Sequence, residues 1–292
     1  MELERVIDCP SRAASAERTA AALHHPGCLF MLSLDPDEMR TALVVLVLAV
    51  ARISGMMLVV PVLARNMMTG MARNSVIIAL SFPVIGRAWT TRPEDLDLAS
   101  LTLILGLGLK ELLLGLVLGL PVAAVMWGVE ACGTFIDNQR GATMASLLDP
   151  ASGNQTSPLG TFLGELYLTW LFVTGGFSKL LEALYRSHEI WPVWTFRPTI
   201  GPAFVGEVLS LADLVMLLTL LLAGPAILAM LLSELGLALI GRFVPQLQVF
   251  YVAMPVKSVV GLLLLILSLA TVLTHAGDHG LSPVAFVRRI AM

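Results

Sequence analysis

Apolar residues run through this chain in long blocks, and most of each block lacks the polar face that a soluble helix needs. About 20 consecutive apolar residues suffice for a helix to cross a bilayer core. By that length rule the pattern predicts about five to seven apolar helices, in an all-α membrane-associated protein. The blocks occupy residues 41–64, 75–89, 98–127, 159–185, 208–241 and 258–274.

Glycine and proline predict broken helices within these blocks. The breakers are Pro83, Pro121, the pair Gly175 and Gly176, and the pair Gly224 and Pro225. The last two blocks are joined by an elbow at 242–257 that contains proline and glutamine, which predicts a C-terminal helical hairpin. Trp191 and Trp194 precede that hairpin, either as membrane-interface anchors or as buried contacts in an assembly.

The first and third apolar blocks contain the charged residues Arg52, Lys110 and Glu111. No acid is placed one helical turn from Arg52, so it needs a partner on another segment or access to water. Lys110 and Glu111 are adjacent, and adjacent helix residues do not face each other, so we expect each to need its own partner. Lys110 and Glu111 predict either an inter-subunit ion pair or the lining of a wet passage.

A polar segment at residues 128–160 separates two of the apolar blocks. It carries Glu130, Asp137, Arg140 and Asp149. Such groups persist at membrane depth only where they are buried in protein or line water. The segment therefore predicts a conduit, or a protein assembly around one.

Composition agrees with a membrane setting and argues against several other classes. Hydrophobic residues make up 57% of the chain and charged residues 13%, below the roughly one quarter of a soluble domain. A net charge of −3 gives no basic footprint for nucleic acid. The scattered cysteines and the lack of phosphate-binding, hydrolase or metalloprotease motifs predict no enzyme activity, no cofactor and no metal site.

Residues 1–40 differ from the rest, because they are rich in charge and carry no signal-peptide layout. We expect a variable, flexible N-terminal extension. Translation starting at Met1, at Met31 or at Met39 is compatible with this composition.

Several motifs, taken in order, resemble a known family. Residues 133–141 read GTFIDNQRG and are followed by Asp149-Pro150 and Ser157-Pro158, and residues 245–250 read PQLQVF. With Glu111, Gly115 and the glycine pair at 175 and 176, they resemble the SctT family of type III secretion export-apparatus proteins. That family includes the YscT, HrcT and SpaR types and is related to flagellar FliR. The resemblance covers roughly residues 41–275.

The resemblance implies a subunit of a pseudo-helical export gate in the bacterial inner membrane, a multi-pass and non-catalytic protein. Its partners would be SctR-like and SctS-like subunits, an SctU-like export switch protein and the unfolded proteins that are secreted. Residues 41–205 would form an SctR-like helical part that includes a plug loop, and residues 206–292 an SctS-like hairpin and tail.

The same resemblance implies roles for individual residues. Arg52, Lys110 and Glu111 would be buried charges, and Glu130, Asp137 and Arg140 would hold the loop base by pairing with neighbours. The implied plug loop consists of Asp149, Pro150, Ala151, Ser152, Gly153, Asn154, Gln155 and Thr156. The implied hairpin elbow contains Pro245, Gln246, Phe250, Pro255 and Lys257. The alternative, on sequence logic alone, is a surface loop outside any pore, because loops normally lie on surfaces.

Two other functions remain open at this point. A small-solute secondary transporter also has broken helices and charges at the membrane midplane, although it should show two related halves. A purely structural scaffold within the same secretion machine is the second alternative.

Overall fold

The computed structural model describes residues 36–60, 70–93, 100–142, 157–198, 201–243, 249–278 and 283–291. The chain divides into two units, Met1–Leu43 and Val44–Met292, and the second holds the helical body. Most of the predicted N-terminal extension at 1–40 lies outside the described residues. The helices are α1 (Pro36–Val59), α2 (Gly70–Thr90), α3 (Leu101–Arg140), α4 (Pro158–Val173), α5 (Gly176–Ile190), α6 (Phe204–Phe243), α7 (Val249–Asp278) and α8 (Pro283–Ala291).

The prediction of an all-α membrane protein is confirmed. The described residues contain helices and no strand. Four stretches of the described helices are long and apolar enough to cross a bilayer. They are Met39–Val59, Leu101–Arg140, Phe204–Phe243 and Tyr251–Thr271.

Three predicted helix limits are wrong. α2 is continuous through Pro83, where the sequence predicts a broken or re-entrant helix. α6 runs without interruption past Gly224 and Pro225. α3 continues past the end of its apolar block to Arg140, so the first part of the polar segment is helical. An apolar helix tolerates an internal proline because neighbouring helices and side chains satisfy the freed backbone groups.

The break predicted at the glycine pair is confirmed. α4 ends at Val173, and Gly175 adopts the left-handed conformation with φ of 75° before α5 begins. A residue with a side chain is strained in that conformation, which explains a glycine at this position.

α3 is the central helix of the second unit and packs against α4, α6 and α7. Residues 121–126 of α3 are buried one after another, on every side of the helix. An apolar helix without a polar face belongs in such a position. The middle of α3 therefore forms the core around which the other helices are arranged.

α1 and α3 cross with their backbones in contact. A Cβ atom at Gly55 would meet the backbone oxygen of Leu112, and one at Gly115 would meet that of Arg52. Glycine on both helices permits this approach, as in the small-residue contacts of membrane helices. The crossing brings the charged residues of the two helices together.

The predicted C-terminal hairpin is confirmed by the packing of α6 against α7. Lys257 Nζ on α7 lies 2.8 Å from Glu234 Oε2 on α6, and Gly261 sits against the side chain of Met230. The elbow residues 244–248 lie outside the described residues.

The close crossing predicts unequal effects of two alanine substitutions in α3. Gly115→Ala forces a Cβ atom into the α1 backbone and should lower stability by roughly 1–3 kcal/mol. Gly108→Ala is the matched control, because a Cβ atom there meets nothing within 4 Å, and should stabilise by about 0.5–1 kcal/mol. Thermal unfolding in detergent measures both, and equal shifts would contradict the crossing.

Candidate functional site

Arg52 is fully buried in α1 and binds Glu111 of α3 through two hydrogen bonds. Its Nη2 atom donates to Glu111 Oε1 over 2.9 Å, and its Nε atom donates to Oε2. Glu111 is thus the partner on another segment that Arg52 requires. A forked contact between guanidinium and carboxylate is the strongest form of side-chain ion pair.

Lys110 shares the same carboxylate. Its Nζ atom lies 2.6 Å from Glu111 Oε1 and donates to the backbone oxygens of Pro192, Val193 and Thr195 at 3.2, 2.8 and 2.9 Å. The expectation that two adjacent residues could not pair is wrong. The long, flexible lysine stem lets the ammonium group reach a carboxylate on the neighbouring residue.

Arg52, Lys110 and Glu111 form a buried charge cluster with two cations and one acid. The remaining donors of Arg52 bind Ser187 Oγ at 3.0 Å and Trp191 O at 2.9 Å. Backbone oxygens thus satisfy the cationic donors that Glu111 cannot, as burial of a charge demands. The cluster attaches the segment after α5 to α1 and α3.

Trp191 and Trp194 are both buried, so they are internal contacts of this protein rather than membrane-interface anchors. Trp194 Nε1 donates to Ala88 O at the end of α2 over 2.9 Å. The segment at 191–195 is therefore held by side chains from α1 and α3 and by the backbone of α2.

His188 is a buried neighbour of the charge cluster, and no motif around it in the sequence points to such a position. Its Nδ1 atom lies 2.9 Å from Leu184 O, and a carbonyl only accepts, so Nδ1 carries the proton. Its Nε2 atom has no hydrogen-bond partner among the described residues. Burial, followed by the nearby charge of Arg52, lowers the pKa of His188 to about 3, so the ring is neutral.

Asp137 organises the second polar site, at the end of α3. It is fully buried and pairs with Arg140, whose Nη2 atom lies 2.7 Å from Oδ1. Its Oδ2 atom accepts from Ser157 Oγ at 2.5 Å and from the backbone N–H of Leu159 at 2.9 Å. A carboxylate at a helix N-terminus satisfies unpaired N–H groups and complements the helix dipole. Asp137 of α3 therefore caps α4.

The cap depends on a second close helix crossing. A Cβ atom at Gly133 of α3 would lie 2.7 Å from the Cα atom of Gly160 on α4. Small residues on both helices allow this distance. As a result, Arg140 and Ser157, which lie before and after the segment 143–156, both contact Asp137.

The structure brings together some of the predicted residues. Asp137 and Arg140 pair, whereas Glu130 makes no ion pair or hydrogen bond through its side chain among the described residues. The predicted plug-loop residues 149–156 and the elbow residues Pro245 and Gln246 lie outside the described residues. Phe250, Pro255 and Lys257 lie on α7. The roles predicted for the loop and elbow residues stay predictions.

Two surface grooves accompany these sites. One, of about 400 Å³, lies between Arg87 and the polar face of α5. The other, of about 320 Å³, is apolar and lies between α3 and α6. Within the described ranges, no three histidine, cysteine or acidic side chains come together as metal ligands would.

Comparison with known proteins decides the family. Residues 43–280 match the family described as bacterial export proteins, family 1. The chain belongs to this family. The matched residues span α2 to α7 and most of α1, so they include the charge cluster and the Asp137 cap.

Individual relatives agree with that membership. The export protein is 36% identical to Yop proteins translocation protein T of Yersinia pestis over 241 residues, covering 82% of this chain and 91% of that protein. It is 32% identical to SpaR of Salmonella typhimurium, over 77% of this chain and 83% of that protein. Identity to FliR of Bacillus subtilis is 27%, over 76% and 84%. The resemblance stated from the motifs is confirmed.

The charge cluster predicts that loss of its acid harms the export protein more than loss of an arginine. Glu111→Gln leaves two buried cations without a counter-charge and should cost roughly 3–5 kcal/mol. Arg52→Met leaves Lys110 paired with Glu111, and should cost less, roughly 1–3 kcal/mol. Tryptophan fluorescence during unfolding in detergent reports both, because Trp191 and Trp194 adjoin the cluster. The reverse order of stabilities would refute the arrangement.

His188 predicts a loss of stability in acid. Its pKa is lower in the folded protein than the ordinary 6.5, so between those values the unfolded state binds more protons. This contribution is fully present above pH 6.5 and falls as the pH drops toward 3, by about 2 kcal/mol between pH 7.5 and 5.

The matched control for this pH dependence is His188→Phe, which keeps the ring shape and removes the titration. The difference in the free energy of unfolding between wild type and variant, measured by denaturant titration at several pH values, should follow that slope. Parallel pH profiles for the two proteins would show that His188 is not buried and neutral.

Proposed function

We propose that this protein is an export-gate subunit of a type III protein secretion system. In this proposal it forms, with SctR-like and SctS-like subunits, the inner-membrane channel through which unfolded proteins are secreted. The observation that carries the proposal is the family match over residues 43–280. Relatives named for Yop translocation, for surface presentation of antigens and for a secretion system apparatus support it.

The identities favour a virulence-type exporter over a flagellar one. Identity is 36% to the Yersinia pestis translocation protein but 27% to the Bacillus subtilis flagellar protein, over similar shares of this chain. The acid and arginine of the GTFIDNQRG motif are Asp137 and Arg140, and their pairing gives that motif a structural role. A small-solute transporter receives no support from any relative.

The length of α6 supports a partner-covered location. A helix of 40 residues is about 60 Å long, whereas the hydrocarbon core of a bilayer is about 30 Å thick. Exposed apolar side chains extend along α6 from Val205 to Phe243. Even a tilt of about 40° leaves more than 40 Å of that face along the membrane normal. Protein must therefore cover part of it, which is the role assigned to the SctR-like and SctS-like subunits.

The Asp137 cap supports a plug role for the loop that follows α3. Residues 149–156 are rich in glycine, serine and asparagine and carry no large apolar side chain. Such a loop can block a wet channel without holding an apolar segment of a passing protein. Asp137 contacts both Arg140 and Ser157, so the described residues on the two sides of the loop-containing segment 143–156 are held at one carboxylate. A loop on the outer surface of the assembly is the alternative.

In this proposal the protein is a multi-pass component of the bacterial inner membrane, with an SctU-like switch protein at the cytoplasmic side of the gate. The division into an SctR-like part at 41–205 and an SctS-like hairpin at 206–292 also remains a proposal. The buried charges hold the fold, and the protein itself performs no catalysis.

Co-expression with candidate SctR-like and SctS-like proteins tests the proposal. The tagged protein should draw both partners into one complex whose native mass shows a single copy of this chain. Deleting residues 150–156 should leave that mass unchanged while the cells become permeable to small ions or change their secretion. A protein that stays alone in the presence of those partners would overturn the gate. An intact complex with unaltered permeability and secretion would favour the scaffold.

A further inference from the structure

Most charged residues inside the described membrane spans pair with other described residues, and besides Glu130 the one unpaired acid within these spans is the exposed Asp213 of α6. Arg52 and Lys110 share Glu111, Arg140 pairs with Asp137, and Lys257 pairs with Glu234. Arg40 and Arg242 lie at the ends of their spans, where water is near. Each lysine or arginine in the interior of the described spans therefore already has an acidic partner.

Glu130 is the exception in α3. Its carboxylate is half-buried within the span Leu101–Arg140 and makes no ion pair or side-chain hydrogen bond among the described residues. Thr134, one turn later, is not available, because its hydroxyl donates to the backbone oxygen of Glu130 at 3.0 Å. An acid at such a depth needs a cation or water, because hydrocarbon solvates a carboxylate poorly.

The position of Glu130 is set by the close packing of α3 and α4. A Cβ atom at Gly164 would lie 3.9 Å from Glu130 Oε2, so the carboxylate rests beside the bare backbone of α4. Glu165, the next residue of α4, is exposed and makes no ion pair within the described part of the chain. The described residues therefore offer no positive charge to the seam between α3 and α4.

The residues beside Glu130 indicate whether lipid, water or protein contacts its carboxylate. Trp127, one turn earlier on α3, is 42% exposed. Lipid would suit this ring but not the carboxylate, and water would suit the carboxylate but not the ring. An apolar helix that carries a lysine or arginine would pack against the aromatic surface and would also pair with the carboxylate.

We propose that Glu130 accepts an ion pair from a lysine or arginine on an apolar helix of a neighbouring export-apparatus subunit. The seam between α3 and α4 around Glu130 is then an inter-subunit contact. This inference rests on the proposed function, because it requires that the protein assembles with such subunits. It assigns Glu130 to the interface rather than to the loop base.

The test uses the complex purified from membranes through a tag on this protein. Glu130→Gln should reduce the co-purified partner subunits about tenfold, and Glu130→Lys should abolish their recovery, because like charges then face each other. The control is Glu182→Gln, an exposed acid that pairs with Arg186 of the same helix, and it should leave recovery unchanged.

A second measurement separates an interface role from a role in the fold. The purified Glu130→Gln protein on its own should unfold at the wild-type temperature, since Glu130, unlike Glu111, has no partner among the described residues. A photo-cross-linking residue at position 130 should attach to a partner peptide, and replacing a lysine or arginine of that peptide by glutamate should restore assembly with Glu130→Lys.

Three results would overturn the inference while leaving the export gate intact. They are full partner recovery with Glu130→Gln, cross-linking of position 130 to lipid alone, and normal assembly with altered secretion. The last result would place the carboxylate in a wet conduit instead. Failure of the wild-type protein to recover any partner would instead count against the proposed function itself.

Discussion

The need to satisfy charge inside an apolar body governs this structure. Arg52 and Glu111 are both fully buried, and neither could remain so without the other and without the backbone oxygens around them. Their pairing requires α1 and α3 to touch at Gly55 and Gly115. The position of the segment after α5 follows, since Lys110 and Arg52 hold its carbonyl groups. A single acid thus fixes where three separate parts of the chain meet.

The same rule operates at the far end of α3. Asp137 lies 26 residues beyond Glu111, or about 39 Å along the helix axis, and again a buried acid is satisfied by an arginine and by backbone. There too, glycines let the neighbouring helix approach closely. α3 therefore carries one polar attachment near each end and an apolar middle. At both positions α3 holds neighbouring parts of the second unit together.

The sequence was sufficient to predict the fold class, the hairpin and the family, because these depend on block lengths and on ordered motifs. It predicted a break at Gly175, where left-handed backbone requires glycine, but also at Gly224 and Pro225, where the helix continues. Glycine and proline interrupt a helix only if nothing nearby compensates, and that depends on tertiary packing. The Lys110–Glu111 contact and the role of His188 were hidden for the same reason: each depends on residues more than 50 positions away or on the reach of a long side chain.

The setting of Lys110 has a consequence for how the connecting segment behaves in different solutions. Four oxygen atoms, three from backbone and one from Glu111, surround its ammonium group much as they would surround a bound potassium ion. A free ion would leave such a site whenever its concentration fell. This cation is covalently attached to α3, so the site has no dissociation constant and is occupied at every salt concentration. The backbone turn at 192–195 consequently needs no ion from solution to satisfy the carbonyl groups that Lys110 binds.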